Sequence, residues 1–169
     1  MSLSIFPSTI EHDKNHVLLR HENVILLVWY GEQDPEVCAR VYELAVSIAQ
    51  SSGVGKVAAV AIVTPSASRP SAEARAAFAR LHDDPQQVIH RVASVVADEG
   101  FIAATIRSIV LSIRQHAVRN HEHAVFHYVE RALEWVTDGL PTVTGLPIAV
   151  QAILYALERD VDQLRQDVA

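Results

Sequence analysis

The sequence predicts an α/β protein built on one mixed, mostly parallel sheet that starts with a β-hairpin. Three observations predict it. Short runs rich in Val, Ile and Leu alternate with segments of helical apolar spacing. The run "VAAVAIV" is apolar on both sides, as befits a strand buried between two layers. Pro, Gly, Asp and Ser fall between the runs, where turns and caps are needed.

Residues 1 to 14 read as a flexible arm. "HVLLR" and "NVILLVWYG" follow as the two strands of the hairpin, closed by Gly31. "DPEVCARVYELAVSIAQSSG" reads as a helix. Asp34 suits its N-cap, and Pro35 the first helical position, where a missing N–H costs nothing. Val37, Val41, Leu44, Ala45 and Ile48 form its apolar face, and Gly53 ends it. "GKVAAVAIVTP" is a buried strand stopped by Pro65. "SRPSAEARAAFARLHDD" is a helix capped by Ser68 or Ser71, with Ala74, Ala77, Phe78 and Leu81 inward. "QVIHRVASVVADEG" is the next strand. "GFIAATIRSIVLSIRQH" is a helix striped by Ile102, Ile106, Ile109 and Ile113. "AVFHYV" is the last strand, and "VERALEWV" a short helix behind it. The domain therefore spans residues 15–136. Strands alternating with helices imply mostly parallel pairing.

"TDGLPTVTGLP" is rich in turn formers, and residues 137–146 read as a linker. Residues 147–169 then read as an amphipathic helix opened by Pro147. Val150, Leu154, Leu157, Val161, Leu164 and Val168 alternate four and three along it. An isolated helix of this length needs a partner for such a stripe. The stripe must pack on its own domain or on another chain, and the four-three spacing favours another helix. A homodimer, or a complex with another protein, is therefore expected through Val150, Leu154, Leu157, Val161 and Leu164.

Composition limits the function. At 169 residues, one domain is expected. The net charge of -6 argues against a nucleic-acid partner, which needs a basic face. The single Cys38 allows no internal disulfide and fits a reducing compartment. The first residues show neither a basic n-region nor a long apolar run, so no signal peptide is expected. No segment approaches the roughly 20 apolar residues of a membrane span. A soluble, cytoplasmic protein with no membrane insertion is the expectation.

"VILLVWYGEQDPE", "KVAAVAIVTP", "SAEAR", "VASVVADEGFIAATIRSIV" and "AVFHYVERALEWV" carry a family resemblance. In order and spacing they resemble the SpoIIAA-like branch of the STAS family, over about residues 15 to 136. That resemblance implies a STAS-like fold with an added C-terminal helix. It also implies a binding and regulatory module, not an enzyme, with no cofactor. Some members are phosphorylated on a Ser or Thr where a strand meets the next helix, usually after an acidic residue. The matching junction here, "IVTPSASRPS", has hydroxyls but no acid. Relatives of similar fold can hold a lipid or small apolar ligand between helices and sheet.

Thr64, Ser66, Ser68 and Ser71, with Arg69, make that junction a candidate phosphorylation or anion site. Simple helix capping would need only one of these hydroxyls. His116, His121, His123 and His127 lie within twelve residues. Imidazoles are zinc ligands, so His121, His123 and His127 are weak metal candidates, and the group could serve a small metal-dependent enzyme. No cysteine is near and no HExxH occurs, so a polar loop and strand edge is the plainer reading. His121 and His123, two apart, face the same way if the chain is extended. Cys38 reads as a core residue, Trp29 and Trp135 as packing, and Arg75, Arg91, Arg107 and Arg114 as solvated or ion-paired.

Overall fold

The computed structural model describes residues 7–96, 107, 108, 111 and 121–167, with side chains described as far as Arg159. Its strands are β1 (Ser8–His12), β2 (His16–His21), β3 (Val24–Trp29), β4 (Val57–Val63), β5 (Ile89–Val96) and β6 (Glu122–Phe126). The described helices are α1 (Pro35–Ser52), α2 (Ala72–Leu81), α3 (Val129–Thr137) and α4 (Val150–Asp167). The helix expected over "GFIAATIRSIVLSIRQH", with its isoleucine stripe, Arg114 and His116, lies almost wholly outside the described residues.

The six strands form one sheet in sequence order. β1, β2 and β3 pair antiparallel, and β3 through β6 pair parallel. The chain is thus α/β, with a mixed and mostly parallel sheet. The expected hairpin is β2–β3, where His21 pairs with Val24 across a tight turn.

The alternation of side chains along a strand builds two cores. Ile25, Leu27 and Trp29 of β3 pack against α1 and α2, among Val37, Val41, Ala45 and Ile48. Val24, Leu26 and Val28 face the opposite way, among Leu133, Val136, Ile153 and Leu157 of α3 and α4. Every residue of β3 is buried. Each such aliphatic side chain contributes about 1.5–3 kcal/mol by leaving water.

Caps set the helix ends. The Glu36 N–H donates to Asp34 Oδ1 at 2.8 Å, and Pro35 occupies the first turn. Gly53 follows α1 with φ 73°, the left-handed conformation in which glycine carries no Cβ penalty. Gly31 has a different reason. Tyr30 and Gly31 donate their N–H groups to Asn15 O, and a Cβ at Gly31 would collide with the Asn15 side chain.

The structure corrects three expectations. Residues 8–12, read as part of a flexible arm, form edge strand β1, with Thr9 opposite Leu19 and His12 opposite Val17. Its side chains are mostly exposed, so it shows no apolar alternation in the sequence. Glu11 anchors it, with Arg40 Nη2 at 2.8 Å and His16 Nε2 at 2.7 Å.

The segment read as a linker is pinned to the domain. Asn23 Nδ2 donates to Pro141 O at 2.7 Å and to Lys56 O at 2.8 Å, and Leu140 is buried. The last helix begins at Val150 and packs on its own domain. Ile153, Ala156 and Leu157 are buried, and Val150 and Leu154 are half-buried against the same core. The physical reason is the second apolar face of the sheet, which α3 alone does not cover. No described helix is long and apolar enough to cross a membrane.

Ile153 tests the placement of α4. Ile153→Ala should lower stability by about 2–5 kcal/mol in urea unfolding. A loss below about 0.5 kcal/mol would mean that α4 does not cover the sheet.

Candidate functional site

The β4–α2 loop lies at the carboxyl ends of the parallel strands, where ligands commonly bind in such sheets. Its hydroxyls have separate duties. Thr64 Oγ1 donates to Trp29 O at 2.8 Å, and lies 3.0 Å from Ser66 Oγ. The Ser68 N–H donates to Gly31 O at 2.9 Å, and its carbonyl accepts from Gln33 Nε2 at 3.2 Å. Ser71 is the cap of α2, accepting the Ala74 N–H at 3.0 Å. Ser66, Ser68 and Arg69 are exposed. Of these residues, Ser66 and Ser68 carry hydroxyls that are exposed and not spent on backbone.

The histidines are brought together differently from the expected cluster. β6 begins at Glu122, so His123 belongs to the strand and not to the loop before it. His121 and His123 both face α2, as their spacing in extended chain requires. There they meet His82, the residue that ends α2. The ring centroids of His82 and His123 are 4.6 Å apart, and those of His82 and His121 4.9 Å, both pairs stacked. His82 Nδ1 and His121 Nε2 lie 2.8 Å apart, and Ser94 Oγ lies 3.0 Å from His123 Nε2. Phe78 packs edge-on against His82 and His123. Burial, with His123 and His121 beside it, pushes His82 down to about 3. Burial also lowers His121, against the opposing pull of Asp84.

His127 is not part of this stack. It is exposed, with Arg107 Nη1 at 3.5 Å from its Nδ1. His116 lies outside the described residues. Among the described residues no three His, Cys, Asp or Glu side chains are placed to hold one metal ion.

Sequence reasoning missed His82 and His16. His82 stands 39 residues from His121, and only the fold joins them. His16, buried against Trp29, has Glu11 on Nε2. Its Nδ1 lies 2.9 Å from Asp13 Oδ1. The Arg40 guanidinium holds the Glu11 carboxyl below its ordinary range. Partial burial works against ionisation of Asp13, but the N–H groups of Asn15 and His16 outweigh it and lower that carboxyl too.

Other sequence candidates resolve into structure. Cys38 lies in the core, where burial pushes its thiol up to about 11. Arg91 bonds Glu122 at 2.8 Å and the Trp135 carbonyl at 2.7 Å, and its guanidinium lies 5.0 Å from the Trp135 ring. That arginine fastens β5 and β6 to the end of α3, where a cation suits the helix dipole. A cavity of about 30 Å³ lies between α1, α2 and the sheet, lined by Val41, Phe78, His82 and strand side chains. It has room for a water or two.

α3 and α4 bound an open groove of about 650 Å³. Tyr128 and Tyr155 line it at 74% and 56% exposure, with Leu154 between α3 and α4. Glu130, Arg131, Gln151 and Glu158 complete its walls. Arg159 lies over the Tyr155 ring, 5.8 Å from its centre. Of the expected interface residues whose side chains are described, Leu154 lines this groove. Leu157 is buried in its own domain, and the side chains of Val161 and Leu164 lie beyond those described.

Comparison with protein-family models, with curated proteins and with solved structures finds no match to this chain.

The loop hydroxyls separate by substitution. Ser71→Ala should cost about 1 kcal/mol in urea unfolding through loss of the cap. Ser66→Ala should stay within about 0.5 kcal/mol of the parent.

Proposed function

We propose that this chain is a non-catalytic regulatory module of STAS type that acts by binding protein, first of all a second copy of itself. The α3–α4 groove is the observation that carries this reading. Large aromatic side chains standing in water are costly, and tyrosine is enriched where protein interfaces hold most tightly. Here two of them share one concave surface with Leu154.

The charges favour a second copy. Glu130 and Glu158 stand beside Arg131 and Arg159 at the groove, so acids and bases balance on a chain of net charge -6. A two-fold contact sets each residue against its counterpart's neighbour, and a patch of mixed charge can therefore pair with itself. The acidic remainder of the chain would repel a like copy. The family resemblance of residues 15 to 136 supports the regulatory part of the reading. It leaves the β4–α2 loop, with Ser66 and Ser68 exposed, as the place where a phosphate would act.

Light scattering after size exclusion tests the proposal. A mass near twice the 18.6 kDa chain is expected. Tyr128→Glu with Tyr155→Glu should weaken association by about 30-fold or more, the equivalent of about 2 kcal/mol at a hot spot, without changing the circular dichroism. A parent chain that stays monomeric up to hundreds of micromolar would refute self-association.

A further inference from the structure

The histidine stack has no part in the dimer reading, and its hydrogen bonding is incomplete. His82 Nδ1 and His121 Nε2 share one contact, so one ring donates an N–H and the other accepts with a bare nitrogen. Their outer nitrogens, His82 Nε2 and His121 Nδ1, are buried without a hydrogen-bond partner among the described residues. Whichever tautomers are present, one of those two outer atoms is an unpaired N–H and the other an unpaired lone pair.

A first proton has only a poor place to go. It would charge a ring packed face to face against its neighbours. A second proton would leave both nitrogens of the shared contact carrying hydrogen, and that bond would be lost. The polar neighbours offer little relief. Asp84 on the loop after α2 favours a charge on His121, but its carboxylate is already held by the N–H groups of Val88 and Ile89, at 3.1 and 2.8 Å, and burial outweighs its pull. Lys56, before β4, opposes a positive charge on His121. Ser94 of β5 meets His123 as a neutral hydroxyl, and Phe78 of α2 is apolar. Tyr42 of α1 reaches Asp84, not the rings.

We propose that His82, His121 and His123 form an acid-sensitive latch that fastens β6 to the end of α2 and opens when the medium becomes mildly acidic. The sign follows from linkage. His82 and His121 are harder to protonate when latched than when exposed, where the ordinary value is 6.5. Their stabilising contribution is therefore complete above pH 6.5. It is lost as pH falls below 6.5, and for His82 the loss continues down to about 3. Among the described residues β6 is an edge strand with β5 as its one sheet neighbour, so its release breaks a single ladder and the Arg91–Glu122 pair. Tyr128 follows its last residue by two, so opening would also disturb the start of α3.

Amide hydrogen exchange of the full chain at pH 7.5 and 5.5, scaled for intrinsic rates, is the test. The opening constant of peptides covering residues 121–126 should rise about tenfold at pH 5.5 for one imidazole and about a hundredfold for two. β3 should not follow. His82→Phe keeps a buried ring without a proton site, and should remove most of that rise. Unchanged protection of β6 in the parent, or an undiminished rise in His82→Phe, would overturn the latch. Should His82→Phe not fold, ring nitrogen shifts of the parent decide. Neutral His82 and His121 at pH 5.5 in the closed state support the latch, and a charged ring there overturns it.

Discussion

Burial of β3 and β4 from both sides is the constraint on which the rest of the structure depends. Ile25, Leu27 and Trp29 point one way, and Val24, Leu26 and Val28 the other. A strand of this kind is stable only if both faces of its sheet are covered. α1 and α2 cover one face. The other needs α3, the pinned segment before α4, and α4 itself. The C-terminal helix is thus the second lid of the sheet. Its placement leaves Leu154, Tyr155 and Glu158 beside α3 and so creates the groove.

The same layering accounts for the polar groups. The network of Glu11, His16 and Arg40 ties edge strand β1 to α1. Arg91 ties the β5–β6 side of the sheet to the end of α3. Both sit at rims, where a charge reaches water and is held by several partners. The histidine stack is placed differently. It is buried between α2 and β6, and two of its nitrogens are left unsatisfied. Buried groups of that kind cost stability, and here two of them sit on rings that share one hydrogen bond.

Much of the fold was legible in the sequence. The hairpin, the Asp34–Pro35 start of α1, the all-apolar β4 and the helix from Val129 follow from local periodicity and caps. β1 was not legible, because its side chains face water and only its backbone pairs. His82 was not legible either, since no local pattern links it to His121. The C-terminal stripe is more instructive. Alternating four-three spacing suits a helix packed on a helix and a helix packed on a sheet equally well. The deciding sign was elsewhere, in "VILLVW", whose two apolar faces need two covers. Of the candidate site, the loop hydroxyls and paired histidines were visible as residues, but their partners came only from the fold.

The covering of the second face is most directly measured by urea unfolding of a chain ended at Leu146. Loss of Ile153, Ala156 and Leu157 from the core, with the strand surface they shield, should lower stability by more than about 4 kcal/mol or leave the chain unfolded. An unfolding midpoint equal to that of the full chain would contradict the two-sided core, and with it the origin of the groove.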